Sequence, residues 1–207
     1  MKALIFDLDG VVADSAAAHR RSWERLAAEE GVTFDPRALL GLTREDSLDV
    51  FLGARALDAG ERADWLARKQ AYFQDELAAM GPDDALPGVR ALLAEAAAAG
   101  VPCALASSSR NARAVLDRLE LRAAFAFVAD GASVAHPKPA PDIFLLAARA
   151  LGMAPADALV IEDAAAGAEA ARAGGFGLVT VGPERRSPRH FTSLAGVTLA
   201  ELRDGAG

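Results

Sequence analysis

Asp7 and Asp9 stand at the end of the short apolar run Lys2–Phe6, one residue apart, and Gly10 follows them. A buried strand that runs straight into two carboxylates needs a reason, because an unpaired buried charge is costly. On a continuing strand the two side chains would share a face, where they repel unless a cation or a shared proton intervenes. A divalent cation with oxygen ligands, of which Mg²⁺ is the common choice, resolves that conflict. The carboxyl ends of parallel strands are also where open α/β sheets bind ligands. Taken alone, the stretch fits a solvated Asp-Gly turn equally well.

Three later segments repeat the pattern. Ala104–Ala106 leads into Ser107-Ser108-Ser109-Arg110-Asn111. These hydroxyls precede a helix start, where free backbone N–H groups form a natural phosphate cradle. N-capping accounts for one serine; three of them, with an arginine at the positive end of a helix, ask for a visiting anion. In His136-Pro137-Lys138-Pro139-Ala140-Pro141-Asp142, prolines flank Lys138 and leave its backbone little freedom. A lysine stiffened in this way suits charge neutralisation on a transferring group; a rigid surface turn is the plainer alternative. The Lys138–Pro139 bond can be cis or trans. Finally, Leu159-Val160-Ile161 runs into Glu162-Asp163, where Asp163 is either a helix N-cap or a further oxygen ligand.

Together the four strand ends describe phosphoryl transfer through an aspartate. Asp7 is the expected nucleophile, forming an aspartyl-phosphate, and Asp9 the general acid and base. Ser107 and Lys138 are expected to stabilise charge on the phosphoryl oxygens. Asp7, Asp9, Glu162 and Asp163 are expected to serve Mg²⁺.

Bringing those ends together requires strands that alternate with helices, and the chain supplies them. From residue 89 onward, helices are expected over 89–99, 111–119, 143–151 and 165–173, and strands over 101–106, 125–129, 159–161 and 177–181. That alternation predicts a doubly wound α/β fold, Rossmann-like, with a parallel sheet. Residues 16–80 contain no strand-like run. Helices are expected there over 16–30, from Asp35-Pro36, from Thr43-Arg44-Glu45-Asp46 with its capping-box-like residues, and over 61–80. The expected organisation is an α/β core of residues 1–15 and 81–207 with an inserted all-helical cap of residues 16–80. The tail from Pro183, with Arg185-Arg186, reads as charged, solvated surface.

The chain has 207 residues, enough for one large domain or a domain with an insertion, and 52% of them are hydrophobic. A net charge of −7 argues against nucleic acid or an anionic membrane surface as a partner. The single cysteine, Cys103, lies in an apolar run and is expected to be a buried, inert thiol. No apolar run is long enough to span a membrane, and Asp7 and Asp9 interrupt any signal-peptide pattern. A cytoplasmic monomer acting on a small molecule is the expectation.

The motifs Phe6-Asp7-Leu8-Asp9-Gly10-Val11, Ser107 at a strand end, Lys138-Pro139 and Glu162-Asp163 with Gly167 resemble those of the haloacid dehalogenase superfamily, over nearly the whole chain. Within it, Gly41-Leu42-Thr43-Arg44-Glu45-Asp46-Ser47-Leu48 and the Ser107–Asn111 and Lys138–Phe144 segments resemble the β-phosphoglucomutases. That resemblance implies interconversion of β-glucose 1-phosphate and glucose 6-phosphate through a bisphosphate; a sugar-phosphate phosphatase is the alternative. It implies that Arg44, Ser109, Arg110 and Asn111 hold the non-transferring phosphate, with Ser108 a further substrate-binding residue. His19, Trp23, Lys69 and Gly41, Leu42 and Thr43 would face the sugar or couple cap closure to Asp9. By the residues alone, His19, one turn after Ser15, fits a residue facing the site or a surface histidine, Trp23 core packing, and Lys69 a solvated face beside Arg68 and Gln70. Two departures stand out: Ala164 where the family commonly has serine, and Arg110 where a lysine is expected. A signalling receiver domain, also phosphorylated on aspartate, has no place for the helical insertion.

Overall fold

The sheet is built around β1 (Ala3–Phe6), whose four residues are all fully buried. Strands β2 (Cys103–Ala106), β3 (Phe127–Ala129), β4 (Ala158–Glu162), β5 (Gly177–Val181) and the two-residue β6 (His190–Phe191) complete it in the order β3-β2-β1-β4-β5-β6. Every pairing is parallel. Apolar, largely β-branched or alanine runs without alternation suit strands covered on both faces. The computed structural model describes residues 1–39 and 44–203, which fall into two units: Met1–Asp14 with the chain from Gly81 onward, and Ser15–Met80.

In the second unit, α1 (Ser15–Glu30), α2 (Arg44–Leu52) and α3 (Ala59–Ala79) enclose a core of Trp23, Leu26, Leu48, Phe51 and Trp65. A capping box starts α3. Asp58 Oδ1 accepts from the Glu61 N–H at 2.9 Å, and the Asp58 N–H donates to Glu61 Oε2 at 2.8 Å. Ion pairs Arg25–Asp75 and Arg68–Glu29, at 2.9 and 2.7 Å, tie α1 to α3 on the exposed side. The segment opened by Asp35-Pro36 is a single 3-10 turn, Pro36–Leu39. Gly41, Leu42 and Thr43 lie outside the described residues.

The first unit carries α4 (Val89–Ala98), α5 (Ala112–Arg118), α6 (Asp142–Ala150), α7 (Ala165–Ala173) and α8 (Leu199–Arg203). Right-handed crossovers from β1 to β2 to β3 put α4 and α5 on one face. The chain then reverses direction across the sheet, so the crossovers through α6 and α7 cover the other. Ile5, Ala104 and Val160 pack there against Ile143, Phe144, Ala147 and Ala171. Strand order reverses between β1 and β4, the switch point at which such sheets open a ligand crevice.

Two further sequence expectations are corrected. The strand anticipated over 125–129 begins only at Phe127, because Arg122–Ala124 forms a 3-10 turn and Phe125 packs edge-on against Phe6 at 5.7 Å. The tail is more than solvated surface. It supplies β6 and α8 and buries Leu194, Val197, Leu199 and Leu202. Cys103 is buried, and burial pushes its thiol up to about 12.

The tail docks where Gly88 allows it. Gly88 has φ +88°, and a Cβ there would sit 1.8 Å from the Leu194 carbonyl oxygen. Left-handed strain and a backbone clash add, so Gly88→Ala should lower stability by roughly 2–5 kcal/mol in urea unfolding. An unchanged midpoint would contradict this packing.

Candidate active site

Strand register brings distant residues to one edge. Phe6 is level with Leu105 on one side and Ile161 on the other, so Asp7 follows between Ala106 and Glu162. The Asp7 N–H donates to the Ile161 carbonyl at 2.9 Å, extending the ladder past β1. Lys138, in the loop before α6, then reaches this edge. Its Nζ donates to Asp7 Oδ1 at 2.6 Å, Glu162 Oε2 at 2.9 Å and the Ala106 carbonyl at 3.2 Å. All three ammonium protons thus have acceptors. Nζ also lies 4.6 Å from the Phe144 ring centroid, a cation–π contact. The Lys138–Pro139 peptide is cis.

Glu162 has both carboxylate oxygens engaged. Besides Lys138 on Oε2, its Oε1 accepts from the Asp163 and Ala164 N–H groups at 3.1 and 3.0 Å. Two glycines permit the crowding. A Cβ on Gly167 would lie 1.9 Å from Glu162 Oε2, and one on Gly10, at φ +74°, 2.0 Å from Asp163 Oδ2.

One oxygen each from Asp7, Glu162 and Asp163 lies within 4.8 Å of the others. Burial, then Glu162 and Asp9, pushes the Asp7 carboxyl well above its usual range, with Lys138 opposing. Burial and then Glu162 raise Asp163 to about 7. For Lys138 burial works against the charge, but Asp7 and Glu162 outweigh it and hold the ammonium above its ordinary value. Negative charge therefore exceeds what one lysine offsets, and a hard divalent cation fits this set of oxygen donors. Asp9 is half-buried beside the cluster.

Ser107 is buried after β2; its N–H donates to the Ala129 carbonyl at 3.0 Å. Its hydroxyl accepts the Ser109 N–H at 3.0 Å, and the Ser109 hydroxyl accepts the Asn111 N–H at 3.2 Å. Two of the three serines thus shape the turn, as serines after strands commonly do. Ser108 and Arg110 are exposed, and Asn111 is half-buried just before the seven-residue α5.

The helical unit holds the remaining described candidates. Lys69 is not on a solvated face: it is 2% exposed, and its Nζ donates to His19 Nδ1 at 2.7 Å. The His19 ring stacks on Phe73 at 4.0 Å, and Trp23 is buried against Phe51 at 4.8 Å. Trp65, Lys69, Phe73 and Leu77 are spaced by four on α3, a stripe that signals Lys69's burial from sequence alone. Arg44 opens α2 on the surface, donating to Glu45 at 3.1 Å. Sequence reasoning missed the Ala106 carbonyl, since backbone acceptors leave no trace in residue type.

Burial, then Arg44, brings Lys69 down to about 7; burial, then Lys69, brings His19 down to about 3. Between pH 7 and 10 the unfolded chain therefore binds a proton at Lys69 that the folded chain does not, and stability rises with pH. In Lys69→Met that slope disappears. The stability difference, variant minus wild type, read from urea midpoints should fall from pH 7 to pH 10; a constant difference would contradict it.

Against known proteins, the model for haloacid dehalogenase-like hydrolases matches residues 1–175. The β-phosphoglucomutase of Bacillus subtilis is 40% identical over 189 residues, covering 88% of this chain and 84% of that protein. A fructose-1-phosphate phosphatase of Escherichia coli, YqaB, is 33% identical over 182 residues, covering 86% of this chain and 95% of its own. Among solved structures, β-phosphoglucomutase from Clostridium difficile superposes with a TM-score of 0.90 at 30% identity, covering 100% of this chain and 97% of that one. This chain belongs to the haloacid dehalogenase-like hydrolase family and is a phosphoryl-transfer enzyme of that family.

Proposed function

We propose that the enzyme is a phosphomutase interconverting β-glucose 1-phosphate and glucose 6-phosphate through phosphorylated Asp7 and β-glucose 1,6-bisphosphate. The observation that carries the chemistry is the buried Lys138 ammonium bonded to both Asp7 and Glu162. An Asp7 carboxylate oxygen attacks phosphorus, the ester P–O bond breaks, and Asp9 gives a proton to the departing sugar oxygen. In the second half, Asp9 takes the proton from the other sugar hydroxyl, whose oxygen attacks phosphorus and frees Asp7. Lys138 and the Ser107 hydroxyl offset charge on the phosphoryl oxygens. Asp7 and Asp163, with Asp9, are the residues to hold Mg²⁺, which supplies further charge neutralisation when bound. Glu162, with its oxygens engaged, orients Lys138 and the Asp163 loop.

The likeness to the β-phosphoglucomutase of Bacillus subtilis, at 40% identity against 33% for YqaB, favours transfer to a sugar over hydrolysis. In this reading residues 16–80 are a cap whose closure excludes water. Arg44, Ser109, Arg110 and Asn111 take the distal phosphate, Ser108 lines the substrate, and His19, Trp23, Lys69 and Gly41–Thr43 take the sugar. A sugar-phosphate phosphatase is the second reading, favoured by the likeness to YqaB, and differs in letting water attack.

With β-glucose 1-phosphate, Mg²⁺ and a catalytic amount of bisphosphate, the expected product is glucose 6-phosphate without matching release of inorganic phosphate. Stoichiometric phosphate release would make the enzyme a phosphatase. Asp7→Asn should lower kcat by more than about 10³-fold while the unfolding temperature stays close to wild type. Substantial residual turnover would remove Asp7 from the nucleophile's role.

A further inference from the structure

The loop carrying Asp163 leads into α7 through Ala164, an N-cap with no side-chain hydrogen bond to the helix. Something else must fix that peptide. Its N–H end, on Ala164, donates to Glu162 Oε1 at 3.0 Å. Its oxygen end, on Asp163, accepts from Arg186 Nε at 3.1 Å. One peptide unit is thereby held at both ends, which restricts ψ of Asp163 and so the direction of its carboxylate. The tolerance is narrow, since Asp163 Oδ2 is seated where a Cβ on Gly10 would be.

Arg186 is itself held through both its backbone and its side chain. Its N–H donates to Thr180 Oγ1 at 3.3 Å, and its carbonyl accepts from Arg172 of α7. Its Nη2 donates to Glu184 at 2.6 Å. Thr180 is fully buried on β5, with its hydroxyl 3.1 Å from both Ser187 Oγ and His190 Nδ1. A buried polar network on β5 and β6 thus extends through one arginine to the backbone of Asp163. Such satisfied networks rigidify what they touch.

We infer that Arg186 is a positioning residue for the metal centre, holding the Asp163 peptide so that its carboxylate meets Asp7. The inference rests on the Mg²⁺ reading above, and partners of metal ligands typically govern affinity by about 10- to 100-fold. Calorimetric titration of Mg²⁺ into the substrate-free protein tests it. Arg186→Ala should weaken Mg²⁺ binding about tenfold or more, Arg186→Lys less because one donor remains, and Arg185→Ala not at all. Hydrogen exchange at the Asp163 and Ala164 amides should quicken in Arg186→Ala before any metal is added. A merely structural arginine would lower the unfolding temperature and leave the Mg²⁺ Kd within twofold, which would overturn the inference. If Arg186→Ala does not fold, Arg186→Gln and Arg186→Lys decide by the same criterion. A wild-type protein that binds no Mg²⁺ would overturn the metal reading and this inference together; normal wild-type binding with unaffected variants would overturn this inference alone.

Discussion

Lys138 sets one ammonium between the carboxylates of Asp7 and Glu162, at 2.6 and 2.9 Å, with all three side chains less than a tenth exposed. One cation cannot balance what surrounds it. Carboxylates about 5 Å apart repel by roughly 3 kcal/mol at an effective dielectric of about 20. Asp163 joins the cluster within 4.8 Å and Asp9 adds its charge nearby. That imbalance is the physical reason the edge suits a divalent cation, and a dianionic phosphoryl group fits there only beside that cation and Lys138. Cation and phosphoryl group each bring what the other needs, and Lys138 keeps the cluster from being wholly anionic.

The fold serves that imbalance. Parallel register makes Asp7 and Glu162 neighbours although 155 residues separate them, and β2 adds the Ala106 carbonyl and Ser107 from the other side. Reversal of strand order between β1 and β4 leaves this edge open. Gly10 and Gly167 are small because the carboxylates of Asp163 and Glu162 occupy the space a side chain would need. Alanine and aliphatic residues behind the edge give a rigid base, so charged groups keep their distances without ordering on arrival of substrate.

Much of this edge was legible in the sequence for one reason: an apolar run that ends in a pair of carboxylates is uncommon, and it occurs at Asp7 and Asp9 and again at Glu162 and Asp163. The alternation of strand and helix then gives the sheet. Less legible were features carried by backbone or by context. Strand β6 has two residues and too little pattern to show, and its place depends on Thr180 and Val181 already being in register. Arg186 resembles any surface arginine until its contact with the Asp163 carbonyl is seen. Lys69 sits between Arg68 and Gln70 and reads as solvated, yet its spacing from Trp65 and Phe73 puts it inside. The serine run reads as an anion cradle, while two of its hydroxyls already serve neighbouring amides.

The central claim is that Asp7, and no other acid, becomes phosphorylated. Borohydride reduction converts an acyl phosphate to an alcohol and marks its position. Enzyme quenched during turnover with β-glucose bisphosphate, reduced and mapped by peptide mass spectrometry should carry homoserine in place of aspartate at position 7. Homoserine at Asp9 or Asp163, or none in any peptide while turnover proceeds, would contradict the account.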